Sequence, residues 1–131
     1  MENAITQTNT QSPTMSLPSL LLRLEGLAVF IAAIAATIHL NGNGWLFALL
    51  LLAPDLSALG YLKDTRTGAT LYNIVHSYTL PGAMLAGALA ANWETGVLLV
   101  VIWFAHIGMD RVFGYGLKYS TEFKDTHLGR V

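Results

Sequence analysis

The chain contains no cysteine. Disulfide frameworks, thiolate catalysis and Cys-based zinc or iron–sulfur sites are excluded with it. Charge is scarce as well: Asp, Glu, Lys and Arg make up 11% of the 131 residues, where a soluble domain carries about 25%. So few charges cannot coat a water-soluble globule of this size. With 53% hydrophobic residues and a mean hydropathy of +0.51, most of the outer surface is expected to face lipid. Basic blocks and aromatic-basic ladders are missing too, and the net charge is −1, so nucleic acid is not an expected partner. Met1 to Ser19 is rich in Thr, Gln, Asn and Ser and lacks the basic region of a secretory signal. It reads as a disordered polar lead on the cytoplasmic side.

What is present is length of apolar sequence. A membrane helix needs about 20 predominantly apolar residues. Four stretches qualify: Leu20 to Leu40, Trp45 to Leu62, Ala69 to Ala91, and Thr95 to about Phe113. Asn41-Gly42-Asn43-Gly44 reads as a turn, Lys63 to Gly68 as a polar loop, and Asn92-Trp93-Glu94 as a hairpin with a belt tryptophan. The fold expected is all-α, an integral membrane bundle of four antiparallel helices over residues 20–116. Short loops would set consecutive helices side by side. Residues 117–131 form a polar, aromatic C-terminal tail.

Arg23, Lys63, Arg66, Arg111, Lys118, Lys124 and Arg130 all fall on the side that an even helix count assigns to both termini and the middle loop. The two other loops hold neither Lys nor Arg. By the positive-inside rule this side is the cytoplasm, with both termini cytoplasmic in a multi-pass protein.

Several side chains interrupt the apolar spans: Glu25, Asp55, Asn73, His76, His106 and Asp110. A charge at the bilayer centre costs roughly 2.5–3.5 kcal/mol on insertion scales, so such residues turn inward and mark functional sites. Their depths agree. Asp55 lies eight positions before Lys63, about 12 Å at 1.5 Å per residue, and His76 lies similarly far beyond the same loop. His106 and Asp110 share a helix face at i, i+4, as do Asn73 and His76 at i, i+3. Pro54 and Pro81 are expected to free the carbonyls of Leu50 and Ser77, and broken helices at membrane depth often line a site.

Simpler roles compete. Glu25 with Arg23 fits an interfacial pair. Asn73 and Ser77 fit helix–helix contacts, and Asp110-Arg111 fits a charge pair at a helix end. His39 reads as interfacial; Tyr61, Tyr115 and Tyr119 read as aromatic belt. Asp55 and His76, the deepest, are the candidate catalytic pair.

Asp55, His76, His106 and Asp110 form a mixed nitrogen–oxygen ligand set suited to divalent Zn, Mn or Fe. Glu25, Asn73 and Arg111 complete the polar site. A metal with an open position would activate water for hydrolysis of a lipid or lipid-linked substrate. Proton or ion handling, for which four short helices are few unless the protein forms a homo-oligomer, is a second reading. Bis-His haem ligation by His76 and His106 is a third. A structural or accessory role beside a partner membrane subunit is a fourth. The tail, with Asp125 and His127, is expected either to be solvated or to fold back and cap the site.

Five strings carry a resemblance: Leu22-Arg23-Leu24-Glu25-Gly26; Ala53-Pro54-Asp55-Leu56-Ser57 with Gly60-Tyr61; Tyr72-Asn73-Ile74-Val75-His76-Ser77-Tyr78 with Pro81; His106-Ile107-Gly108-Met109-Asp110-Arg111 with Gly114 to Lys118; and Phe123 to Arg130. Together they resemble the uncharacterised bacterial membrane family DUF4260 from about Leu20 to Arg130. The resemblance implies a place in the bacterial inner membrane. It implies no activity.

Overall fold

The computed structural model describes residues 14–131, so most of the polar lead lies outside the described residues. The chain is helical. Helix α1 spans Leu17–His39 and α2 spans Gly44–Leu50, which continues into a 3-10 helix, Ala53–Leu62. Helices α3 (Thr65–His76) and α4 (Thr79–Ala90) follow, then α5 (Glu94–Phe113) and a short α6 (His127–Arg130). Among the described residues there is no strand, only an isolated bridge between Lys118 and Thr126.

Local chemistry explains the boundaries. Ser16 caps α1 by accepting from the Ser19 amide, with Pro18 in the first turn. The helix therefore begins three residues inside the segment read as lead. Asn43 accepts from the amides of Trp45 and Leu46 to start α2, and Asp64 accepts from Thr67 at 2.6 Å to start α3. That cap draws Thr65 to Gly68 into the helix, where the sequence had pointed to a loop. At the end of α5, Gly114 takes φ 87°, and its amide closes on Arg111. A side chain there would meet the strained left-handed backbone and the Arg23 guanidinium.

Three segments are long and apolar enough to cross a membrane: Leu17–His39, Gly44–Leu62 and Glu94–Phe113. Their outward faces are apolar, as at Leu49, Leu52, Leu56 and Leu59. The expected third span is not one helix. It is broken at Ser77 and Tyr78, where Ser77 is extended with ψ 151°. The break precedes Pro81, which sits in the first turn of α4, where a missing N–H is tolerated.

Helix α5 is the centre of the molecule, and Val100, Ile102, Ala105 and Ile107 on it are buried. Helix α1 packs chiefly along α5 rather than along its sequence neighbour α2. The two run antiparallel, because Gly26 meets Gly108 and Arg111 near one end while Ala33 packs with Val101 and Ala105 further along. A Cβ on Gly26 would lie 2.8 Å from the Gly108 carbonyl oxygen, and one on Gly108 would lie 2.6 Å from that of Gly26. Between apolar helices in lipid, such small-residue contact supplies the association, since hydrophobic burial gives little. The 3-10 helix packs on α3, and α4 on α5.

Candidate metal centre

Two helix irregularities build the site. At Leu52 the backbone passes from α to 3-10 geometry, and the Asp55 amide bonds to Leu52 rather than one residue further back. The Leu51 carbonyl is thereby freed and accepts from His106 Nδ1 at 2.5 Å. The expected free carbonyl was that of Leu50; the tighter winding moves it by one residue. The break after His76 leaves the last carbonyls of α3 without helical partners. Trp103 Nε1 donates to the Val75 carbonyl at 2.7 Å and Arg111 Nη2 to that of His76 at 2.8 Å.

His76 Nδ1 donates to the Tyr72 carbonyl at 2.9 Å. A carbonyl only accepts, so in both neutral imidazoles the proton sits on Nδ1 and Nε2 carries a bare lone pair. Those Nε2 atoms face each other at 2.9 Å, both rings fully buried. Two lone pairs so close repel unless a cation lies between them.

Two carboxylates close the arrangement. Asp110 Oδ2 is 3.5 Å from both Nε2 atoms, and Asp55 Oδ1 is 3.7 Å from that of His76 and 3.4 Å from that of His106. All four ligand atoms lie within 4.8 Å of one another. A tetrahedral ion with bonds of 2.0–2.1 Å would set its ligands about 3.3–3.4 Å apart. The four His–Asp separations, 3.4–3.7 Å, come near that size, and the closer pair of nitrogens would part slightly around an ion, so the group could hold a metal. It cannot flank a haem, whose plane does not fit between nitrogens 2.9 Å apart.

The four candidate ligands are not equivalent. His76, His106 and Asp110 are buried and oriented by further bonds, since the Tyr72 hydroxyl donates to Asp110 Oδ2 at 3.0 Å. The Tyr72 ring also stacks on His76, with centroids 3.6 Å apart. Such outer partners set ligand direction and basicity. The Asp55 side chain is 54% exposed and faces a polar cavity of about 340 Å³. Tyr72, Asp110, Tyr115, Lys118 and Phe123 also line it.

Other expected site residues fall elsewhere. Glu25 is exposed and outside the cluster. Gly26 is the position that faces α5, and a step of one residue turns a side chain about 100° around a helix. Asn73 instead ties down the tail: its Oδ1 accepts from the Lys118 amide at 2.6 Å and its Nδ2 donates to the Lys118 carbonyl at 2.7 Å. Arg111 does not pair with Asp110 but donates to the carbonyls of Tyr115 and His76.

The tail folds back. Leu128 is buried, and His127 Nδ1 accepts from the Leu117 amide at 2.7 Å. Burial, then the nearby Arg111 charge, holds His127 below the ordinary histidine range. Lys118 Nζ donates to the Phe123 carbonyl and sits 4.6 Å from the Tyr72 ring centre. Burial draws its ammonium below the usual lysine range, against the pull of Asp110 and Asp55. Tyr72 and Lys118 were not among the expected site residues. Tyr72 shares a helix face with His76 at i, i+4, a usable signal; for Lys118 the sequence holds none.

Over residues 19–131 the chain matches the family described as Domain of unknown function (DUF4260). Neither a curated protein nor a solved structure matches it.

Proposed function

The chain belongs to the DUF4260 family, whose description carries no activity, and we propose from its geometry that it is a membrane hydrolase with a divalent-metal centre acting on a lipid or lipid-linked substrate. The observation that carries this reading is the pair of facing Nε2 lone pairs at 2.9 Å, flanked by two carboxylates. Two carboxylates and two neutral imidazoles carry a charge of −2, which a divalent ion neutralises. In this reading His76, His106 and Asp110 hold the ion, of Zn, Mn or Fe type. Asp55, on the cavity side, is the exchangeable position.

When bound, the ion supplies Lewis-acid polarisation and a more acidic water. Asp55 then serves as general base. It takes a proton from water as the water oxygen bonds to the substrate's carbonyl or phosphoryl centre. The ester bond breaks, and the proton passes from Asp55 to the leaving oxygen. An apolar hollow of about 320 Å³ is lined by Leu50, Ala53, Pro54, Val75, Leu99 and Trp103; Pro54 and Val75 are the chain neighbours of Asp55 and His76, which supports an approach from lipid. The broken α3–α4 pair serves as a fourth crossing. Arginine and lysine placement supports a topology in which both termini and the cavity face the cytoplasm.

The test is the elemental content of purified protein, wild type beside His76→Ala and Asp110→Ala, with hydrolysis assayed on lipid esters and phosphoesters. Expected is near-stoichiometric metal in wild type, lost in both variants, with Asp55→Asn keeping metal but losing turnover. Wild type without metal even after reloading retires the reading. One observation favours a second reading: a proton shared between the two Nε2 atoms also fits 2.9 Å, which makes the pair a proton-handling device. Metal-free protein that carries protons in liposomes would establish it.

A further inference from the structure

On the reading that the centre holds a divalent ion, we infer that Lys118 binds the anionic phosphate group of the substrate, in the polar cavity beside Asp55 and Asp110. Lys118 is only 6% exposed, and among the described residues it forms no ion pair. Lysine is almost never buried so fully without one. Its Nζ donates one N–H to the Phe123 carbonyl at 2.7 Å and sits 3.7 Å from the Phe123 ring centre, and its other N–H groups have no hydrogen-bond acceptor among the described residues.

Its place is fixed on both sides. Asn73 holds the Lys118 backbone through two hydrogen bonds, and the bridge to Thr126 holds it again. Lys118 lines the cavity, and the bond to the Phe123 carbonyl holds its ammonium there, which lowers the ordering cost of binding. One tyrosine separates it from the ligands: Nζ lies over the Tyr72 ring, and the Tyr72 hydroxyl touches Asp110.

Charge selects the class of ligand. With two carboxylates balanced by a divalent ion, Lys118 leaves the cavity one positive charge in excess. A phosphate presents several oxygens at once, enough to meet an ammonium and the centre together, and lysine is a common phosphate binder through its point charge. The same chemistry is offered by a phospholipid headgroup and by a free phosphate.

The experiment uses the full chain, cobalt(II)-loaded, in phosphatidylcholine nanodiscs, read by the visible ligand-field spectrum. Inorganic phosphate is titrated in one arm; phosphatidic acid is doped into the discs in the other. A spectral change with phosphatidic acid alone assigns the headgroup, and one with inorganic phosphate assigns the free ion; either supports the inference. Lys118→Met should then weaken binding about ten- to a hundredfold, as loss of a charge-assisted hydrogen bond does, and Lys118→Arg should restore most of it. In wild type, which avoids any folding defect of a variant, the 15N resonance of Lys118 Nζ should move as phosphate is added. No response in either arm, an unmoved Nζ resonance, or equal affinity in Lys118→Met overturns the inference. Absence of any cobalt spectrum instead removes the metal reading beneath it, a distinct result.

Discussion

The Nε2 atoms of His76 and His106 meet at 2.9 Å because each ring has committed its other nitrogen to a backbone carbonyl, Tyr72 for one and Leu51 for the other. The carbonyls choose the tautomers, and the facing lone pairs favour a cation between them; on the metal reading that cation is the ion. Removing the cation should therefore cost stability. Chelation is expected to lower the thermal midpoint in detergent, and re-addition of metal to restore it. At a free metal concentration a hundred times Kd, the difference is about 2.7 kcal/mol. A midpoint indifferent to chelator and metal would contradict a bound ion.

Tyr72 acts on the centre through Asp110 and His76. Tyr72→Phe keeps the stacked ring and deletes only the hydroxyl bond of 3.0 Å to Asp110. Metal affinity, measured by competition with a coloured chelator, is expected to fall about 10- to 100-fold, the range for lost outer-shell partners. Glu25→Gln, outside the cluster, should leave it unchanged.

Contact between α1 and α5 depends on the absence of side chains at Gly26 and Gly108. Gly26→Leu would place its Cβ 2.4 Å from the Cβ of Arg111, which the backbone must move to relieve. Destabilisation of about 1–3 kcal/mol is expected from such overpacking, read by denaturant titration in mixed micelles. Gly82→Ala, with open space around its Cβ position, is the matched control and should fold as wild type does.

The tail should loosen in acid. Burial holds His127 below its unfolded value near 6.5, so the unfolded tail binds the proton more readily. Docking is then fully stabilised above about pH 6.5, weakens as pH falls below it, and levels off once the folded value is passed. Exchange of the Leu117 amide, which donates to His127, reports this directly. Intrinsic exchange slows in acid, so the protection factor is the quantity to follow; it should drop from pH 8 to pH 5 in wild type and stay flat in His127→Asn.

The cluster of candidate ligands was legible because polar residues are costly in apolar spans, and cost leaves a mark that a single sequence displays. Asp55, His76, His106 and Asp110 stood out for that reason, and their ligand atoms converge. Glu25 stood out by the same test, yet its neighbour Gly26 faces α5. Its span lacked any pattern to tell one face from another, being apolar nearly all round. The break at Ser77 falls where Pro81 was expected to free a carbonyl, but the groups that meet the carbonyls before it, on Trp103 and Arg111, lie about thirty positions away in the chain. The tail's return rests on Asn73 and Lys118, which nothing short of the folded chain brings together.

The four ligands come from three separate stretches, and only His106 and Asp110 share a helix. During synthesis, the ribosome therefore delivers Asp55 and His76 to the membrane before either partner exists. Half a centre binds an ion poorly, so on the metal reading capture would wait until α5 had formed and packed beside α3. On the metal reading, the ion would arrive as the closing act of assembly, and a chain stalled before residue 106 would hold only Asp55 and His76 of the four.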